Sequence, residues 1–156
     1  MNNTFFSTKK LKKEFRTFDF TFSFATFVPK AQTPFQFCQR EDIKTLEKKY
    51  EYLKKEFHKI GVKIRTSSVK WDYWQALLSR GDRRISKLLV EVYKEGGNLG
   101  AFKQSYKKLE ENGDLPSSDY FALASHDINE NLPWDFIEMY PTKEKLVEEY
   151  NKINNI

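Results

Sequence analysis

Residues 17–25 read Thr17-Phe18-Asp19-Phe20-Thr21-Phe22-Ser23-Phe24-Ala25. Phenylalanine fills every even position, and Thr, Asp, Ser and Ala fill the odd ones. Period-two alternation of strong β-formers predicts a strand over 17–28. One face is bulky and apolar; the other is small and polar. Two readings stay open. The first is an antiparallel strand with its second face in water. The second is a strand of an α/β barrel, with the Phe face on outer helices and the small face lining a ligand cavity.

Downstream, Val28-Pro29 ends the strand, because proline cannot donate to a ladder. Residues 29–40 form a loop held by Pro29 and Pro34, with Phe35 and Phe37 as anchors. Residues 41–60 predict a helix, since Ile43, Leu46, Tyr50, Leu53, Phe57 and Ile60 recur at spacings of three and four. Gly61 is its stop, and 62–66 alternates like a short strand. Strand, helix and strand in that order predict one βαβ step with parallel pairing.

From Ser67 the pattern is helical. Ser67 or Ser68 starts a helix through Ser79 with Trp71, Trp74, Leu77 and Leu78 inward, and Gly81 breaks it. Asp82 caps a second helix carrying Ile85, Leu88, Leu89 and Val92, which Gly96-Gly97 ends. Phe102, Tyr106 and Leu109 mark a third, a short piece runs from Ser117 or Ser118 to Ala124, and 143–153 closes as an amphipathic helix. Upstream, 1–16 is a basic lead-in or a short, incomplete helix. The predicted fold class is α+β, mostly helical: a lead-in over 1–16, a βαβ piece over 17–66 and a helical extension over 67–156.

The chain has 156 residues, 14 of them Phe, enough to bury one sizeable core. Lys and Arg number 27 against 22 acidic residues, a net +5 that suits an anionic partner without requiring one. Cys38 is the only cysteine, which excludes an internal disulfide and any all-cysteine metal site within these residues. His58 and His126 stand too far apart in sequence for a recognisable metal motif. The N-terminal residues lack a signal-peptide core and no apolar run reaches membrane-spanning length, so a cytoplasmic protein without a membrane partner is expected. No nucleophile–base spacing, phosphate loop or paired-carboxylate pattern is present, so no catalytic residue and no metal ligand is assigned.

Three stretches carry polar groups beyond what packing asks. Phe27 to Phe37 places Lys30, Thr33 and Gln36 just past a strand end, where barrel ligands bind; the other reading is a rigid corner with Phe anchors. Ser79 to Arg84 sets Arg80, Asp82, Arg83 and Arg84 around a helix break, either to hold an anion or as a solvent-facing corner. There Asp82 is expected to pair with Arg83 or Arg84. Leu132 to Ile137 contains Asp135, a candidate tie to Arg80 or Arg83, within what is otherwise a packed turn. The candidate substrate- or partner-binding set is Lys30, Thr33, Gln36, Arg80, Asp82, Arg83 and Asp135.

Taken in order, these blocks resemble the C-terminal part of radical S-adenosylmethionine (SAM) proteins of the B12-binding type. Phe-Val-Pro-Lys-x-x-Thr-Pro-Phe-Gln at 27–36 is similar to the loop that closes the family's barrel. Leu-Ser-Arg-Gly-Asp-Arg-Arg at 78–84 and Leu-Pro-Trp-Asp-Phe-Ile at 132–137 look like the next two blocks. Ala31, Gln32, Phe37 and Phe136 depart from the family pattern, and its CxxxCxxC motif is absent here. The resemblance implies a terminal piece of a radical SAM partial barrel, inactive in SAM cleavage alone. It would complete a chain that holds the [4Fe–4S] cluster, SAM and cobalamin, and no cofactor is expected on this chain alone. The alternative is a non-enzymatic basic module that binds RNA or an acidic protein. A third reading is a degraded fragment, which predicts poor solubility.

Overall fold

Alternation at 17–25 does produce a strand, but a shorter one, and its partner is the parallel strand that the βαβ order predicts. The computed structural model describes residues 2–138 and 140–154. Among them, seven α-helices and two strands occur: α1 (Asn2–Glu14), β1 (Thr21–Phe24), α2 (Ile43–Lys59), β2 (Lys63–Thr66), α3 (Val69–Arg80), α4 (Ile85–Lys94), α5 (Leu99–Glu111), α6 (Ser118–Ala122) and α7 (Lys143–Asn154), with a 3-10 turn at Pro34–Phe37. The chain divides into two units, one of residues 1–26 and 43–69, the other of 27–42 and 70–156.

In the first unit β1 pairs with β2 in parallel register, Thr21 beside Lys63 and Ser23 beside Arg65. Helix α2 is the crossover between them. Phe22 and Phe24 turn to it and meet Phe57, with ring centroids 5.7 and 5.6 Å away. Phe57 is 2% exposed. The Tyr50 hydroxyl lies 2.9 Å from Ser67 Oγ and donates to the Phe24 carbonyl at 3.2 Å, fixing the strand ends. Gly61 ends α2 at φ +65°, where a side chain would be strained.

Two expectations change here. Phe18 is 61% exposed and lies outside the strand. Its amide bonds back to the Phe15 carbonyl, so the chain is still turning there. The basic lead-in forms the 13-residue helix α1, and Lys12 docks it by donating to the Phe18 carbonyl at 2.9 Å and covering the Phe20 ring.

The second unit is built on α3. Tyr73, Trp74, Ala76, Leu77 and Arg80 form its buried stripe. Trp74 packs on Phe102 and Tyr106 of α5 at 5.3 and 5.7 Å. Trp71 and Leu78, expected inward, lie at the rim of that stripe and are 41% and 37% exposed, although Trp71 still meets the Phe102 ring at 5.7 Å. Leu89 of α4 is likewise exposed, because Ile85, Leu88 and Val92 already fill that helix's inner face. Gly96 and Gly97, both at positive φ, end α4, and the Asn98 side chain caps α5 by accepting from the Ala101 amide at 3.0 Å. Helix α7 contributes Val147 and Tyr150 to a cluster with Phe37, Leu132 and Trp134. Among the described residues no helix is long and apolar enough to cross a membrane.

Gly81 separates α3 from α4 for a steric reason. A Cβ there would lie 2.3 Å from Ile85 Cγ1 and 3.0 Å from the Leu77 carbonyl oxygen. Ile85 is buried and cannot swing clear. Gly81→Ala should therefore lower stability by about 1–3 kcal/mol, the usual range for forced overpacking. Urea unfolding checks this, and an unchanged midpoint would contradict it.

Candidate functional site

The three polar stretches meet inside the second unit. Pro29 is fully buried and Pro34 opens the 3-10 turn, so the loop is stiff by covalent geometry. That turn buries Gln36 at 1% exposed. The Gln36 Oε1 accepts from the Trp134 indole N–H at 2.7 Å and from the Gln32 amide at 3.0 Å. Gln32 returns a bond from Nε2 to the Trp134 carbonyl at 3.3 Å. The first block is thereby fixed to the third. Gln32 tolerates this at φ +59°, a left-handed conformation that one local and one long-range bond help to hold.

Arg80 fixes the first block to the second. It is 1% exposed, at the inner end of α3. Its Nη1 donates to the Cys38 carbonyl at 3.0 Å and the Ala124 carbonyl at 2.7 Å, and its Nη2 to the Ala122 carbonyl at 2.8 Å. A guanidinium is the side chain suited to this, because its planar fork reaches several acceptors at once. Burial, together with the nearby Arg40 charge, lowers its pKa from the usual arginine value to about 10, against a smaller opposing influence of Cys38. It is still charged at neutral pH.

Beyond Arg80 the chain opens into a cleft of about 720 Å³, lined by Gly81, Asp82, Arg83 and Arg84 on one side and Pro133, Trp134, Phe136 and Ile137 on the other. Asp82 faces Arg84 in a two-point pair, at 2.9 Å from Nε and 2.7 Å from Nη2. Its Oδ1 also accepts from the Arg84 amide, which closes the turn into α4. The Arg84 bonds hold the Asp82 carboxyl below the usual range. Arg83 is exposed at the cleft, and Phe136 is 82% exposed.

The remaining candidates lie elsewhere. Lys30 is exposed beside a separate cavity lined by Trp71, Trp74, Gln75 and Leu78. The Thr33 hydroxyl donates to the Lys30 carbonyl at 2.8 Å and so serves the turn. Asp135 pairs with Lys143 at 2.5 Å and accepts from the Leu132 amide at 2.9 Å. The expected tie from Asp135 to Arg80 or Arg83 is therefore replaced by one to α7. Local geometry decides this, since Lys143 also bonds the neighbouring Glu130 carbonyl.

Two residues here had no sequence signal. Arg40 is fully buried, with Cζ 5.9 Å from the Tyr73 ring centre and Nη1 donating to the Glu41 carbonyl at 2.9 Å. His126 places Nδ1 3.1 Å from Glu130 and sets its ring edge-on to Trp134. A lone arginine in a loop and a lone histidine follow no periodicity that would flag them. Burial raises the Cys38 thiol pKa more than Arg80 lowers it, so the thiolate is disfavoured.

A [4Fe–4S] cluster does not fit this donor set. It needs several thiolates, and Cys38 offers one whose ionised form is disfavoured. Among the described residues no three His, Cys, Asp or Glu side chains are grouped to hold a metal ion. No family model, no curated protein and no solved structure matches this chain.

Proposed function

We propose that this chain supplies the terminal βαβ piece and C-terminal helical extension of a radical SAM-type enzyme. It acts by completing a polypeptide whose cluster cysteines lie outside these residues. The observation that carries the reading is the half-finished state of the β1–α2–β2 piece. One sheet face is covered by α2 through Phe22, Phe24 and Phe57. On the other face Thr21, Ser23, Lys63 and Arg65 are all exposed.

Parallel sheets are ordinarily covered on both faces, and two strands alone are marginal in water. The edge is unfinished too. The Lys63 and Ser67 amides donate to the Phe20 and Phe24 carbonyls, so even-numbered residues of β1 direct their backbone groups to β2. Thr21, Ser23 and Ala25 direct theirs outward, and no backbone partner meets them among the described residues. A further parallel strand would pair there. Small residues on β1's open face leave room for a ligand. In the second unit, Arg80 and Gln36 then act as positioning residues that hold the loop after β1 in one shape.

This reading expects no SAM cleavage by the isolated chain after anaerobic treatment with iron and sulfide. Mixing it with a radical SAM domain that carries CxxxCxxC but stops before its last barrel strand should restore cleavage to 5′-deoxyadenosine. Cleavage by the isolated chain, or none from the mixture, would sink it.

A further inference from the structure

Charge is divided unevenly along this chain. The first unit carries thirteen Lys and Arg against five Asp and Glu, a net +8 over residues 1–26 and 43–69. The second carries fourteen against seventeen, a net −3. The modest excess of the whole chain hides a strongly basic part. Pairing differs in degree between the units, since the first holds the pairs Lys59–Glu56 and Lys63–Asp19. In the second unit Lys87, Lys94, Lys108, Lys143, Lys145 and Lys152 all lie against carboxylates. In the first, Lys9, Lys10 and Lys13 of α1 and Lys44, Lys48 and Lys55 of α2 are exposed. None of these six has a carboxylate within ion-pair distance among the described residues.

Their arrangement is regular. Lys9, Lys10 and Lys13 follow Phe6 at spacings of three, four and seven, so all four share one stripe of α1. Phe6 is 72% exposed. Lys44, Lys48 and Lys55 share a stripe of α2 with Tyr52, at offsets of four, eight and eleven, and Tyr52 is 54% exposed. Each helix thus presents lysines outside ion-pair distance of a carboxylate with one exposed ring among them, and on α2 the exposed Glu51 shares the stripe. A membrane-surface helix separates its apolar stripe from its cations, and here the ring lies within the cations. An acidic protein would use the lysines and leave the rings idle. A single-stranded nucleic acid uses both, with phosphates on the lysines and unstacked bases on Phe6 and Tyr52.

We propose that the first unit binds single-stranded nucleic acid through these two stripes. The proposal needs no cluster-bearing partner, because the cations and rings are present on this chain. The test is fluorescence anisotropy of the full chain with a labelled 20-nucleotide RNA, across a salt series. Six phosphate contacts on a single strand give a slope of log K against log salt near −4, at about −0.7 per contact. K9Q/K10Q/K13Q and K44Q/K48Q/K55Q should each make that slope shallower by about 2, with far-UV circular dichroism unchanged. F6A and Y52A should each weaken RNA binding about ten-fold and leave binding of poly-glutamate unaltered. K145Q/K152Q, on α7, should change nothing. Absence of binding at about 50 mM salt, or slopes that ignore the lysine variants, would overturn the proposal. So would phosphatidylserine vesicles or poly-glutamate of matched charge binding as tightly as the RNA.

Discussion

Arg80→Met should lower the unfolding free energy by about 3–5 kcal/mol, the cost of breaking a buried, charge-assisted set from one side. The Cys38, Ala122 and Ala124 carbonyls lose their shared donor, and methionine offers nothing in return. No rearranged water can easily replace a guanidinium that is 1% exposed. Arg80→Lys should recover less than half of the loss, since a single ammonium cannot span three acceptors placed for a planar fork. Urea unfolding followed by tryptophan fluorescence reads both. A loss under about 1 kcal/mol would mean that Arg80 is not what joins the loop to α3.

Phe57→Ala should cost a similar amount, about 3–5 kcal/mol, and should act on the first unit. Phe57 is the surface on which both inward phenylalanines of β1 rest. Among the described residues the sheet has two strands, and no third strand is there to steady it when that contact is lost. Amide exchange at Phe22 and Phe24 should therefore accelerate strongly in the variant. Unchanged protection there would show that the strand pair holds without α2.

Much of this fold was legible from the residues, for reasons that differ by element. Helix α2 declared itself through a long 3.6-residue period and a terminal glycine, the strongest local signals a chain carries. Parallel pairing of β1 and β2 followed from strand–helix–strand order, which leaves little topological choice. The ends of β1 were not legible, because alternation continues through Phe18 while the backbone is still turning out of α1. Trp71 and Leu78 misled because hydrophobicity alone does not place the edge of the buried stripe of α3. The stripe that includes Arg80 is the buried one, which no apolar count anticipates.

The site was legible as three blocks and not as a mechanism of contact. Gln36, Arg80 and Trp134 lie far apart in sequence, and only folding shows that they share bonds with one loop. Asp135 found Lys143, a partner that sequence spacing did not favour over the arginines. The division of charge was also invisible in the total of +5, because unit boundaries do not follow the chain in one cut.

Backbone hydrogen exchange addresses the unfinished edge of β1 residue by residue. In the free chain the amides of Thr21, Ser23 and Ala25 should exchange rapidly while those of Phe22 and Phe24 are protected. On adding a cluster-bearing radical SAM domain that lacks its last strand, the three outward amides should become protected as well. Protection of all five in the free chain, or rapid exchange of the outward three in the mixture, would contradict an open edge that a partner strand fills.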